Sequence, residues 1–360
     1  MFFDLCVFFY VFFIFVEFTS AHEGESCVHE GVWSPGVCTP YDSCVSARAV
    51  AGRGVLPKLC SYDQVTNPLV CCIGLTCPAL PHGTVNVKKT GIKAVDYCAG
   101  LADLAYPCVE TGEGWSREDM CPTDPSRKPA DGQISKGDFA HLALLGFYDY
   151  ESTKWYAMGA LISDRFVISE AYALLVHEGG AKRVRLGGLD QDVHVDKENI
   201  YNIVFVKTHP DYISPRPYNN IGLAKLDRVV VFSKLIFPIC LHVQSGGPLP
   251  SNNLTYLYRD GLFYQKANVK ILPHAECDTI YKPTFSDGIR VDTQLCVQRS
   301  NYESLKDGSG SPLQVPNGGQ VACTQLLVAI HNFHQESTGT YALTVRVAPF
   351  IPWIESHVWP

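Results

Sequence analysis

From about Ile134 onward the chain is written in short apolar runs separated by turn signals. Ala140–Tyr148, Trp155–Ile162, Phe166–Ile168, Ile200–Lys207, Ile221–Leu226, Ala267–Ile271 and Gln325–His331 are each of strand length. Ser163-Asp164, Gly187-Gly188 and Pro316-Asn317-Gly318-Gly319 punctuate them. Many short strands with turns between them predict an all-β sandwich or barrel. In Pro349–Trp359, Ile351, Ile354 and Val358 fall at helical spacing, which predicts a closing helix with one face on the barrel. Gly91–Tyr106 predicts a short helix upstream, and no internal repeat is visible.

The opening of the chain has a different texture. Its first twenty residues are nearly all apolar and end at Thr19-Ser20-Ala21, a small-residue site suited to cleavage after Ala21. This predicts a secretory signal over 1–21, although Asp4 stands where a basic start is usual. A retained membrane anchor is the competing reading, but the run is marginal in length for a span and lacks flanking basic residues. The expected product is secreted and extracellular, with no membrane segment once the signal is gone.

Fifteen cysteines fit that compartment. Cys6 leaves with the signal, and an even number remains. Cys27, Cys38, Cys44, Cys60, Cys71 and Cys72 crowd a segment too short to bury an adequate core, so disulfides must supply the constraint. Spacing alone does not choose their connectivity, but adjacent Cys71 and Cys72 are expected to reach different partners. Residues 73–133 read as a linker with its own staples (Cys77, Cys98, Cys108, Cys121), ending in an exposed Pro-rich stretch, Cys121–Pro129. A stapled module over 27–72, this linker and a β-rich domain over 134–360 suit a 360-residue chain. The net charge of −7, with signs mixed, gives no footprint for nucleic acid. Asn253-Leu254-Thr255 is a glycosylation sequon at Asn253.

Six segments, in order, resemble the chymotrypsin-like serine proteases. Gly159–Ala171 resembles the strand pair leading to the catalytic histidine, and Val184–Gly187 the strand after it. Tyr218–Leu226 is similar to the aspartate segment, and Phe237-Pro238-Ile239-Cys240-Leu241 to a characteristic strand. Gly308-Ser309-Gly310-Ser311-Pro312-Leu313 resembles the nucleophile loop, and Pro352-Trp353-Ile354 the terminal helix. Cys27–Cys72 resembles the clip domain that precedes such domains in arthropod extracellular cascades. The resemblance implies a clip-domain serine protease homologue. Its fold would be two six-stranded antiparallel β-barrels with a C-terminal helix, behind a small disulfide-rich clip domain.

The same resemblance puts Ser309 at the nucleophile, Tyr172 at the histidine and Asn220 at the aspartate. Acyl transfer needs a base for the serine proton and an anion to steady the resulting cation. A phenol, titrating near pH 10, and an uncharged amide supply neither. Losing one member of such a set lowers turnover about 10⁴–10⁶-fold in comparable enzymes. Asp307 falls at an oxyanion-loop position where Gly is usual, beside Gly308 and Ser309. Gly308 also takes the place of the Asp that pairs with a freed terminus during activation, and the expected cut falls at Arg127-Lys128. His141, His177, His194, His209 and His331 read as ordinary surface or loop histidines rather than as a substitute base. Ala173, Ala157 and Leu305 replace cysteines of the family, while the resemblance implies a retained Cys277–Cys296 pair and a Cys121–Cys240 tie from linker to barrel.

No cofactor is expected. Asp190, Asp192, Asp196 and Glu198 offer oxygen ligands where some relatives bind calcium, against the plainer reading of a solvated hairpin loop. Zinc-type spacings do not occur. The function implied is a non-catalytic regulator or cofactor in the proteolytic cascades of haemolymph immunity. Its partners would be other clip-domain proteases or prophenoloxidase in melanisation. An active endopeptidase with unusual catalytic residues, and a module that recognises microbial surfaces, are the alternatives.

Overall fold

Ala143, Leu144 and Leu145 are apolar in succession because both faces of their strand are covered. In the computed structural model of the chain, Ala143, Leu145 and Phe147 enter one buried cluster while Leu142 and Leu144 enter another. A strand's side chains alternate between faces, so a run without polar interruption means burial on two sides. Fully burying one leucine contributes about 1.5–3 kcal/mol.

The structure describes residues 22–29, 34–44, 47–48, 51, 57–61, 68–73, 89–111, 114–121, 134, 138–149, 152–175, 179–188, 197–245, 249, 251, 253–260, 263–299, 308–317, 324–334 and 341–360. They fall into two units, Met1–Leu75 and Thr76–Pro360. The proposed signal, Arg127, Lys128, Asp190, Asp192, Asp196, His177, His194 and Asp307 lie outside the described residues.

In the first unit, β1 (Ser26–His29), β2 (Ser34–Pro40), β3 (Leu59–Ser61) and β4 (Leu69–Ile73) form an antiparallel sheet of order β1-β2-β4-β3. Disulfides join Cys27 to Cys71, Cys38 to Cys60 and Cys44 to Cys72. Neighbours on a strand face opposite ways, which sends Cys71 and Cys72 to different partners. The buried cluster holds only Cys44, Ala47 and Val70 with three flanking side chains, so the covalent links carry much of the constraint.

The second unit begins with α1 (Lys93–Ala105) and a hairpin, β5 (Cys108–Thr111) and β6 (Gly114–Arg117). Next come β7 (Leu142–Asp149), β8 (Ser152–Leu161), β9 (Phe166–Ser169), the short α2 (Ala171–Leu175), β10 (Arg183–Leu186), β11 (Ile200–Thr208) and β12 (Gly222–Leu226). The six strands close into an antiparallel barrel, β10-β11-β12-β9-β8-β7. A short strand, β13 (Cys240–Leu241), runs parallel to segment Gln325–His334 from outside the second barrel. That barrel comprises β14 (Asn253–Asp260), β15 (Phe263–Ile271), β16 (Gln294–Arg299), β17 (Pro312–Pro316), β18 (Gln325–His334) and β19 (Tyr341–Arg346). Antiparallel pairing runs β18-β17-β14-β15-β16-β19, and β18–β19 pairing closes the ring. The chain therefore has the chymotrypsin-type pair of six-stranded barrels that the family resemblance implies.

Two helices complete the unit: α3 (His274–Tyr281), after β15, and α4 (Ile351–Val358), which has Pro352 in its first turn and Ile351, Ile354 and Val358 buried. The second barrel's interior holds Leu254, Tyr256, Val269, Val297, Leu313 and Ala342. A separate cluster joins Ile168 and Leu223 of the first barrel to Leu327 and Ile330 of the second and to α4.

Helix α1 docks rather than dangles. Leu101, Ala102 and Ala105 pack with Ala140, Phe237 and Cys240. A carboxylate of α4 caps its N-terminus: Ala94 N–H donates to Glu355 Oε1 at 2.8 Å, satisfying a backbone donor that no helical carbonyl reaches. Docking corrects one expected disulfide. Cys240 bonds to Cys98 of α1, not to Cys121, because the packed helix brings those two Cα atoms to 5.3 Å. Cys121 stands half-buried in the same cluster. Cys277 and Cys296 are bonded, as implied. Ala157 and Ala173, where a family disulfide would lie, share one buried cluster, so apolar contact fills the space.

Candidate functional site

Four short segments meet between the barrels. The first barrel supplies the end of β9 with α2, carrying Glu170 and Tyr172, and the turn before β12. Asn219 adopts φ 52° there, a conformation that asparagine tolerates better than most residues, and it sets the direction of Asn220. The second barrel supplies the loop before β17, carrying Ser309, and the β18 bulge between His331 and Phe333, which turns out Asn332. An extra residue in one strand re-aims its side chain, a device often found beside functional sites.

One hydrogen-bond network links these side chains. Ser309 Oγ donates to Glu170 Oε1. Asn220 Nδ2 donates to Glu170 Oε2 at 3.1 Å and to Asn332 Oδ1. Asn220 Oδ1 accepts from the Tyr172 backbone N–H at 2.9 Å, and Asn332 Nδ2 donates to the Pro217 carbonyl at 2.6 Å. The structure thus brings Ser309 and Asn220 into one network, with Tyr172, a residue 37% exposed, joining through its backbone.

Glu170 explains why an amide suits position 220. An aspartate there would set two carboxyls about 3 Å apart, and like-charge repulsion would keep both from being ionised at once. The amide donates instead. Glu170 itself is only 3% exposed. Burial pushes its carboxyl up to about 7, and the bonds from Ser309 and Asn220 only partly offset that. The sequence analysis missed Glu170 and Asn332. Asn332 gave no signal, since bulges are not written in composition. Glu170 did: it is the one charged residue in the otherwise small and apolar stretch Phe166–Leu175, and a charge in such a run needs a partner.

The nucleophile loop is packed from beneath. Met158 N–H donates to the Ser309 carbonyl at 2.8 Å, and Ser311 Oγ to the Leu257 carbonyl at 2.6 Å. Under Gly308, the Tyr256 hydroxyl and His331 Nδ1 share a 2.6 Å hydrogen bond. A Cβ on residue 308 would overlap the Tyr256 hydroxyl and come within 2.7 Å of His331 Nδ1. The space a side chain would need there is filled. Gly308→Ala is therefore expected to destabilise the unit by about 1–3 kcal/mol through overpacking, with partial relief in Gly308→Ala/Tyr256→Phe, measured as urea midpoints.

One histidine reading needs correction: His331 is neither at the surface nor in a loop but 1% exposed within β18. His141 does lie in a turn, just before β7, yet is only 4% exposed. Burial holds the His141 imidazole down at about 4. His209 packs against Phe350 and Trp353. None of these three enters the Ser309 network. Glu198 is exposed in the turn Lys197–Asn199. Asn253 opens β14. Among the described residues, one group of potential metal ligands comes together, the sulfurs of Cys27, Cys38 and Cys60, and all three are spent in disulfides. No described helix is long and apolar enough to cross a membrane.

Comparison with known proteins agrees with this geometry. The trypsin family model matches residues 137–354. The chain is 25% identical to serine protease Hayan of Drosophila melanogaster over 64% of its own length and 39% of that protein's. It is 24% identical to phenoloxidase-activating factor 1 of Holotrichia diomphalia over 89% of itself and 88% of that chain. It is 27% identical to inactive CLIP domain-containing serine protease A8 of Anopheles gambiae over 56% of itself and 58% of that chain.

Proposed function

The chain belongs to the trypsin family, and from that premise we propose that it is a secreted member that regulates an extracellular cascade of arthropod immunity by binding, not by cutting peptide bonds. One observation carries the reading: the positions that the resemblance assigns to histidine and aspartate hold Tyr172 and Asn220, and Asn220 spends its amide on Glu170, Asn332 and the Tyr172 backbone. Peptide cleavage needs a group that takes the serine proton and then returns it to the departing amine. Glu170, buried beneath Ser309 with its second oxygen held by Asn220, is poorly placed for that return. The name of the Anopheles relative says that it is inactive, and that of the Holotrichia relative says that it activates phenoloxidase; both support the reading. The partners would then be clip-domain proteases or prophenoloxidase, met by an intact protease-like surface, and the product would be released into haemolymph through the 1–21 signal.

The test uses the full secreted chain, intact and after exposure to a trypsin-like protease. Neither form should hydrolyse chromogenic peptides faster than Ser309→Ala. Depletion from plasma should change the rate of melanisation, and add-back should restore it. Turnover that vanishes in Ser309→Ala would overturn the loss of peptide cleavage. Unchanged melanisation after depletion would overturn the cascade role.

A further inference from the structure

We propose that Ser309, Glu170 and Asn220 form a nucleophile, proton acceptor and orienting amide able to take up one activated acyl or phosphonyl group. The arrangement has the three parts such a site requires: a hydroxyl bonded to a carboxylate, the carboxylate's second oxygen fixed by another side chain, and a serine that is itself partly exposed. Nothing in the family resemblance assigns Glu170 a role. Its burial, against the partial exposure of Ser309, decides which electrophiles qualify. A fluorophosphonate or an activated ester expels fluoride or a phenolate, and neither leaving group needs a proton. An amide does need one, so the proposal stands apart from the loss of peptide cleavage.

The step balances as follows. Ser309 Oγ attacks phosphorus, the Oγ–P bond forms and the P–F bond breaks. Fluoride departs with the bonding pair, and the hydroxyl proton passes to Glu170. With an activated ester, the Oγ–C bond forms, the C–O bond to the leaving group breaks, and the proton again goes to Glu170. A general base works best with a pKa near the working pH, and burial has raised Glu170 to about 7. The groups bonded to it are Ser309 and Asn220, and the Tyr212 phenol lies close enough to feel its charge. Tyr212 is itself raised by burial, with Glu170 and Tyr172 adding to the shift.

The experiment is the rate of covalent labelling of the full secreted chain by a fluorophosphonate probe between pH 5 and 9, with trypsin as the probe's control. Labelling of wild type is expected to rise with pH and level off above about 7. Ser309→Ala should abolish it. Glu170→Gln should slow it about 100-fold, as removal of a general base does, and Glu170→Asp should recover part of the rate. Circular dichroism reports whether each variant is folded, and the wild-type pH profile decides the matter even if one is not. No labelling of wild type at pH 8–9, a profile flat through pH 7, or wild-type rates in folded Glu170→Gln would each overturn the proposal. Peptide turnover is measured separately, so labelling without turnover supports both readings and turnover sinks only the earlier one.

Discussion

Replacing Cys98 and Cys240 together by serine is expected to lower the stability of the second unit by about 5 kcal/mol in the loop-closure account. That account scales with the length of chain closed, and this disulfide joins residues 142 apart in sequence. Its site adds to the effect. Leu101, Ala102 and Ala105 of α1 form one cluster with Ala140, Phe237 and Cys240, so an untethered helix would expose that apolar contact whenever it lifted away. Changing both cysteines leaves no new thiol, which separates the loss of the tether from thiol exchange. Non-reducing urea unfolding measures the loss. A drop under about 1 kcal/mol would contradict the account, and peptide mapping should recover Cys98 joined to Cys240 even in Cys121→Ser.

Glu170→Gln carries the second large effect, and it is an effect on slope. The folded carboxyl titrates at about 7, against an ordinary value of 4.5. Between those two pH values the folded chain holds a proton that the unfolded chain has released. Stability therefore falls as pH rises from 4.5 to 7 and is level above, with about 3 kcal/mol lost across the window. The glutamine variant cannot titrate, so this part of the slope disappears whatever constant offset the amide introduces. Urea midpoints at pH 5, 6 and 7 should show wild type losing ground to the variant at each step. Parallel profiles would show that the carboxyl is not held in its neutral form by burial.

Much of this architecture was legible, and the parts that were not share a physical cause. Strands covered on both sides, such as Ala143–Phe147, announce themselves as unbroken apolar runs. Two strands of the second barrel do not. Strand β14 turns Leu254, Tyr256 and Tyr258 into the barrel with Thr255, Leu257 and Arg259 between them, and β17 begins and ends in proline. Neither has the density of aliphatic residues that made the first barrel readable. The site divides in the same way. Tyr172, Asn220 and Ser309 were found because each occupies a motif. Glu170 and Asn332, which connect them, depend on a loop and a strand 162 residues apart in sequence meeting at a bulge, and no local pattern encodes that meeting. The Cys98 partnership was missed for a related reason, since it exists only once α1 has docked.

The bond from Ala94 to Glu355 ties the front of this unit to its last helical turn, and Lys93 Nζ also reaches the Trp359 carbonyl. A premature stop just before Glu355 would leave every barrel strand in place. It would still strip the upstream helix of its anionic cap and leave only the Cys98 sulfur bridge and the apolar contact around Leu101 to hold that helix. Damage at the tail would thus first loosen a segment far upstream.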